Sequence, residues 1–157
     1  MPTVGKSWSV FSLLLFTVLN VVAADLSTMH GFERAFRAAH AKGDLLYFKD
    51  LVCEDDVSPT TLSDYYHTFG KHFGYVIRRI EVRPYQAPTN RWGWKPQWSV
   101  KPTNTLLVWY ALDTRQPASS VEYTVGKKGT KFQFAVCKNG MRRPRLWVRS
   151  CFAGEIR

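Results

Sequence analysis

The chain of 157 residues carries 22 Lys and Arg residues against 12 Asp and Glu residues, a formal net charge of +10 at pH 7. This length fits one domain with one hydrophobic core, and the sequence holds no internal repeat or low-complexity tract, which excludes a repeat architecture. The excess of positive charge favours anionic partners, but charge alone does not distinguish nucleic acid from glycosaminoglycans, acidic lipids or acidic glycans.

The first 24 residues are typical of a secretory signal peptide. Lys6 gives a positive start, the apolar run 11–22 is short for a bilayer span, and Ala23 and Ala24 are the small residues that signal peptidase needs. We therefore predict a secreted, extracellular protein without a transmembrane anchor, with one domain over residues 25–157. This domain keeps 21 of the cationic and all 12 of the acidic residues, a formal charge of +9. The alternative is a single N-terminal anchor.

The next stretch has the spacing of helices. Between Met29 and Leu51 apolar residues recur every three or four positions, and Gly43-Asp44 interrupts them with a residue suited to ending one helix and a residue suited to capping the next. Ser58-Pro59 is a typical helix start, and it predicts a further short helix that ends at Gly70. We therefore expect three helical pieces.

Beyond Gly74 the pattern changes to alternation of β-branched and aromatic residues, which is typical of strands. The predicted strands are 75–83, 105–112, 120–125, 131–137 and 145–152, with hairpin turns at Lys127-Lys128-Gly129 and Asn139-Gly140. Connections too short for crossover helices favour antiparallel pairing. The predicted fold class is α+β, with N-terminal helices packed on one face of a curved antiparallel sheet of four to five strands.

The loop over residues 84–102 is long enough to suggest a function. It places tryptophans, which stack on sugar rings or bases, among cations that meet phosphate, sulfate or carboxylate groups. The candidate ligand-binding residues are Arg91, Trp92, Trp94, Lys95 and Trp98. The alternative is that the prolines stiffen the loop and the tryptophans pack over an open end of the sheet.

A second cationic cluster lies in the predicted turn at Asn139-Gly140 and in the strands predicted around it. Its members, the candidate anion-binding residues, are Lys138, Arg142, Arg143, Arg145 and Arg149. Such a cluster fits a structural or defence protein that binds acidic surfaces, although it does not lie on a basic amphipathic helix. The alternative is a solvated hairpin with no partner.

Three cysteines, Cys53, Cys137 and Cys151, predict one disulfide and one remaining thiol in an oxidising compartment. The sequence does not choose among the three pairings. No Cys-x-x-Cys or His-x-x-x-His spacing is present, and we predict neither a metal site nor a cofactor.

The order of helices and strands resembles the nuclear transport factor 2-like superfamily. The resemblance covers most of residues 25–157 and rests on the segments 32–36, 43–51 and 55–57, followed by a short helix and a long sheet. It implies a cone-shaped domain whose curved sheet wraps the first helix and leaves a pocket at the open end. It also implies pairing of two copies through the outer face of the sheet.

The same resemblance implies two uses for the pocket. Catalytic members place a carboxylate or histidine beside a tyrosine, and His40, Tyr47 and His67 are the groups here that would act in a small hydrolyase or isomerase. Non-catalytic members bind ligands, and a small apolar ligand in the cone is one possible partner. No carboxylate of this sequence matches a pocket position of the family, so we expect a binding domain rather than an enzyme.

Cystatins are a structural rival, since they also set a helix across an antiparallel sheet. Their inhibitory segments resemble Gln-x-Val-x-Gly and Pro-Trp. The nearest segments here, 122–126 and 144–147, depart from both patterns. The leading prediction is therefore a secreted basic binding or interaction domain for an anionic glycan or acidic surface.

Overall fold

The computed structural model describes residues 25–88, 95–112 and 119–139. Helix α1 spans Met29–Lys42, a 3-10 helix spans Leu45–Leu51, and helix α2 spans Pro59–Gly70. In these ranges no helix is both long and apolar enough to cross a membrane. All three predicted helical pieces are present, in the predicted order.

The bend between α1 and the 3-10 helix forms as the sequence predicts. Gly43 ends α1 in the left-handed conformation, with a φ of 64° that glycine adopts without strain. Asp44 then caps the 3-10 helix by accepting a hydrogen bond from the Leu46 amide at 2.9 Å. The paired signals turn the chain and place the 3-10 helix against α1.

Helix α2 begins at its predicted cap. Ser58 Oγ accepts a hydrogen bond from the Thr61 amide at 3.2 Å, and Pro59 occupies the first turn, where its missing N–H costs nothing.

In the part of the chain that the structure describes, five strands form one sheet. Their bounds are Val52–Cys53 (β1), Val76–Pro84 (β2), Pro102–Ala111 (β3), Ser119–Lys128 (β4) and Lys131–Ala135 (β5). The spatial order is β1-β5-β4-β3-β2, and β2 to β5 form an antiparallel meander. Gly129, with a φ of 58°, makes the predicted hairpin turn between β4 and β5. The α+β class with helices before the sheet is thus confirmed.

The prediction of a wholly antiparallel sheet is wrong at one edge. Strand β1 pairs with β5 in parallel, with Val52 opposite Phe134. Two residues are too few to show alternation, so no strand could be predicted here from local pattern. The predicted strand over 145–152 and the turn residue Gly140 lie outside the described residues.

The core lies between the helices and the inner face of the sheet, and it is built largely from aromatic rings. Phe36 of α1 is fully buried and contacts the rings of Phe48, Phe69, Tyr123 and Phe134, with centroids 5.5–6.4 Å apart. Edge-to-face and tilted contacts of this kind add to the free energy gained by burying apolar area. The core holds the helices on the sheet and fixes the position of the loops at both ends.

Candidate functional site

The two cationic segments that the sequence singles out meet in the structure. The base of the tryptophan loop, residues 95–99, runs beside the segment that follows β5, residues 136–139, and Trp98 forms a β-bridge with Cys137. We call these two segments together the junction.

Backbone hydrogen bonds hold the junction on both sides of that bridge. The Lys138 amide donates to the Gln97 carbonyl at 2.6 Å, and the Ser99 amide donates to the Val136 carbonyl at 2.9 Å. The Ser99 hydroxyl accepts from the Val136 amide at 3.0 Å. The loop base is therefore fixed to the sheet.

The side chain of Asn139 adds a second fastening. Its Oδ1 accepts from the Gln97 amide at 2.9 Å, and its Nδ2 donates to the Lys95 carbonyl at 3.0 Å. An amide side chain carries both an acceptor oxygen and a donor nitrogen. Asn139 can therefore bond to a backbone N–H and to a nearby backbone carbonyl at the same time. The sequence analysis identified Asn139 only as a turn residue and did not predict its contacts with the loop base.

Trp98 packs on the fold rather than projecting freely. Its indole N–H donates to the Tyr85 hydroxyl at 3.1 Å, and the two rings meet edge to face with centroids 6.0 Å apart. The indole is half-buried. Any ligand contact of Trp98 would use the part of the ring that is still exposed.

The junction is cationic. Lys95 is exposed and Lys138 half-exposed, and neither makes an ion pair with a described residue. Residues 95–101 and 136–139 include no Asp or Glu. The other candidate site residues, Arg91, Trp92, Trp94, Arg142, Arg143, Arg145 and Arg149, lie outside the described residues.

A second cationic surface, on the outer face of β2, differs from the junction because its charges are paired. Arg79 and Arg83 contact the two carboxylate oxygens of Glu81 at 2.8 and 2.6 Å. These arginines hold the pKa of the Glu81 carboxyl below its usual range. The Arg79 guanidinium also covers the Trp109 ring, 4.7 Å from its centroid. This surface has less free charge to offer a polyanion.

The interior holds a buried polar cluster that the sequence reasoning missed. His72 stacks on Tyr110 with centroids 4.5 Å apart, His40 lies 5.4 Å from the same ring, and the hydroxyls of Tyr110 and Tyr123 are 3.2 Å apart. Alternation along β3 and β4 would have placed both tyrosines on the core face with Val108.

This cluster is buried, and no described Asp or Glu is buried with it. Burial raises the pKa of the Tyr110 and Tyr123 hydroxyls above their ordinary value, so both stay protonated at neutral pH. The His40 ring nitrogen Nε2 is engaged with the Tyr75 carbonyl at 2.9 Å. The buried polar residues among those described include His, Thr and Ser but no Asp or Glu. The cluster is consistent with a stabilising role.

The residues suggested for catalysis differ in burial. His40 is buried, whereas Tyr47 and His67 are exposed on the 3-10 helix and α2. Lys42, rather than a histidine, approaches Tyr47, with Nζ 5.9 Å from its ring centroid. Among the described residues, the side chains of His40, Tyr47 and His67 make no hydrogen bond or ring contact with one another.

Of the three cysteines, Cys53 carries a free, buried thiol whose Sγ lies 3.5 Å from the Ser99 carbonyl oxygen. Cys53 is therefore not a disulfide partner in this structure. Cys137 is buried in the junction, and Cys151 lies outside the described residues. Over the described ranges, no group of three or more His, Cys, Asp or Glu side chains could hold a metal ion.

No protein-family model, no curated protein and no solved structure matches the chain. A function must therefore be proposed from the sequence and geometry of this chain.

Proposed function

We propose that the protein is a secreted binding domain that holds an anionic partner at the junction. The observation that carries the proposal is the set of hydrogen bonds joining residues 95–99 to residues 136–139. These bonds make one surface out of the bases of two segments that are rich in Arg, Lys and Trp. We propose the candidate residues of both segments as the binding set: Arg91, Trp92, Trp94, Lys95 and Trp98, together with Lys138, Arg142, Arg143, Arg145 and Arg149.

Free charge favours the junction over the outer face of β2. Lys95 and Lys138 have no carboxylate partner among the described residues, whereas Glu81 already neutralises part of the charge of Arg79 and Arg83. A partner binding at β2 would have to compete with existing ion pairs, and one binding at the junction would not.

The chemistry of the partner follows from the residue types. Lysines and arginines meet sulfate or carboxylate groups, and tryptophan rings stack on the apolar faces of sugars. An extracellular anionic glycan offers both features along one chain, so we propose a sulfated or carboxylated glycan as the partner.

The proposal also includes two further predictions, the superfamily resemblance and the disulfide. The helix order, the bend at Gly43 and the helices placed before the sheet support a nuclear transport factor 2-like domain. A disulfide between Cys137 and Cys151 is the pairing left when Cys53 is free. Such a bridge would fasten the second cationic segment to the junction, and it would require the oxidising compartment that the signal peptide predicts.

A glycan array probed with residues 25–157, at two salt concentrations, tests the proposal. We expect selective binding of sulfated or carboxylated glycans that persists at raised salt and fails when Trp92, Trp94 and Trp98 are changed to alanine. Lys138→Gln should weaken binding more than Lys131→Gln, which removes the same charge from an exposed site at the other end of β5. Uniform binding to every polyanion that vanishes with salt would reduce the finding to net charge and overturn the proposal.

A further inference from the structure

The side chain that fastens the junction belongs to a sequence that favours deamidation. Asn139 is followed by Gly140, whereas the other asparagines, Asn20, Asn90 and Asn104, are followed by Val, Arg and Thr. Spontaneous deamidation begins when the backbone nitrogen of the next residue attacks the side-chain carbonyl carbon. A glycine at that position has no side chain to hinder the approach. Asn139 is therefore the asparagine of this chain whose neighbour favours the reaction most.

The reaction exchanges the amide of Asn139 for a carboxylate. The Gly140 nitrogen gives up its proton and bonds to Cγ of Asn139, the bond from Cγ to Nδ2 breaks, and ammonia leaves. Water then opens the resulting cyclic imide at either of its carbonyl carbons. The product is aspartate, or isoaspartate, in which the backbone runs through the former side chain. Water is the co-reactant, and nothing is oxidised or reduced.

Both polar atoms of the Asn139 amide are engaged in the junction. Nδ2, the leaving group of the reaction, donates to the Lys95 carbonyl at 3.0 Å, and Oδ1 accepts from the Gln97 amide at 2.9 Å. Cys137 Sγ lies 3.3 Å from the same oxygen. The Asn139 side chain is only half-buried, so water can reach it. The atom that deamidation removes is thus one of the atoms that hold the loop base.

We propose that Asn139 is a deamidation site and that its conversion releases the base of the tryptophan loop from the sheet. A carboxylate has no N–H to donate, so its oxygen would face the Lys95 carbonyl, and two acceptors repel each other. Isoaspartate also adds a backbone carbon beside Lys138, whose amide bonds to the Gln97 carbonyl at 2.6 Å. An ion pair between the new carboxylate and an exposed lysine would be screened by water and would offset little of this loss.

The modification also changes the charge of the junction. Residues 95–101 and 136–139 include no Asp or Glu, so the product places the first carboxylate in these segments. The change is irreversible and accumulates with time, unlike a binding equilibrium. It does not depend on the anion binding proposed for the junction, because it is measured by the mass of the chain and by the exchange of backbone amides.

Incubation of residues 25–157 at mildly alkaline pH tests the modification. Peptide mass spectrometry follows the mass gained when a carboxylate replaces an amide. We expect this gain at Asn139 but not at Asn104, which is also half-buried and precedes a β-branched threonine in β3. Gly140→Ala should slow the gain by at least about tenfold, since it adds a side chain beside the attacking nitrogen. If Asn139 keeps its amide while a free peptide of residues 136–142 is converted, the proposal is overturned.

Hydrogen exchange of the Asn139→Asp variant tests the release of the loop. The Lys138 and Ser99 amides, which bond across the junction, should exchange at least about tenfold faster than in the wild type. Ser58→Ala, which weakens the cap of α2 instead, should leave both amides unchanged. Unchanged exchange in Asn139→Asp would overturn the proposal. Faster exchange throughout β4 and β5 would overturn it as well, because Asn139 would then hold the whole sheet rather than the loop base.

Discussion

The interior and the junction are held together by different interactions. The interior joins α1, α2 and the sheet through fully buried aromatic rings around Phe36. The junction joins two loop segments through backbone amides and the side chain of one asparagine, and its lysines, Lys95 and Lys138, make no ion pair with a described residue.

The difference separates the stability of the fold from the binding proposed at the junction. Burial of aromatic area supplies most of the free energy of folding, so changes in the core should unfold the domain. Hydrogen bonds that form in place of bonds to water contribute about 1 kcal/mol each, so changes in the junction should leave the fold intact. Binding at the junction can therefore be tested in folded variants.

The largest expected effect is that of Phe36→Ala. The change removes a ring that contacts four others, and it should lower the free energy of unfolding by about 3–5 kcal/mol, as for other buried phenylalanines. Denaturant unfolding measures this loss. Tyr47→Ala, which removes an exposed ring, serves as the control; an equal loss in both variants would show that Phe36 does not organise the core.

The second-largest effect is expected at high pH, which should lower the free energy of unfolding. Burial raises the pKa of the Tyr65, Tyr110 and Tyr123 hydroxyls above their ordinary value near 10. The unfolded chain loses these protons more readily than the folded one, so the stability they contribute is present below about pH 10 and is lost as the pH rises beyond it. Spectrophotometric titration should show these tyrosines ionising only together with the loss of near-ultraviolet circular dichroism. Ionisation of all tyrosines in a folded protein would contradict the account.

A smaller effect is expected for Asn139→Ala. Loss of its two contacts with the loop base should lower the free energy of unfolding by about 1–2 kcal/mol and weaken anion binding severalfold, because Lys95 and Lys138 would no longer be held together. Ser58→Ala removes the cap of α2 at a comparable cost of about 1 kcal/mol, but it should not change anion binding. If both variants weaken binding equally, the effect belongs to stability and not to the junction.

The smallest effect is that of Lys128→Ala. Its ammonium pairs with Asp55 at 2.5 Å, and that hydrogen bond raises the pKa of the lysine, yet both side chains are exposed. Exposed pairs are screened by water and salt, so thermal unfolding should show no change beyond experimental error. A clear loss of stability would contradict this prediction. It would show that the ion pair between this hairpin and the turn after β1 contributes to the free energy of unfolding despite its exposure.

Local signals in the sequence were enough to predict the helices. Gly43-Asp44 and Ser58-Pro59 act within a few residues of their own position, and each forms the cap or bend expected of it. Strand β1 was missed because its partner, β5, lies about 80 residues further along the chain, and pairing over that distance leaves no local pattern.

The candidate site was predicted only in part, for the same reason. Composition identified the tryptophan loop and the basic segment separately, but their meeting depends on Asn139 reaching Lys95 and Gln97 from more than 40 positions away.

The most direct test of the central claim is an NMR titration of isotope-labelled residues 25–157 with a heparin-derived oligosaccharide. Recognition at the junction predicts shifts of the Trp98 indole N–H and the Asn139 side-chain amide, which persist at raised salt, while the Arg79 and Arg83 signals stay in place. Shifts confined to the β2 arginines, or weak shifts at every cation that disappear with salt, would contradict it.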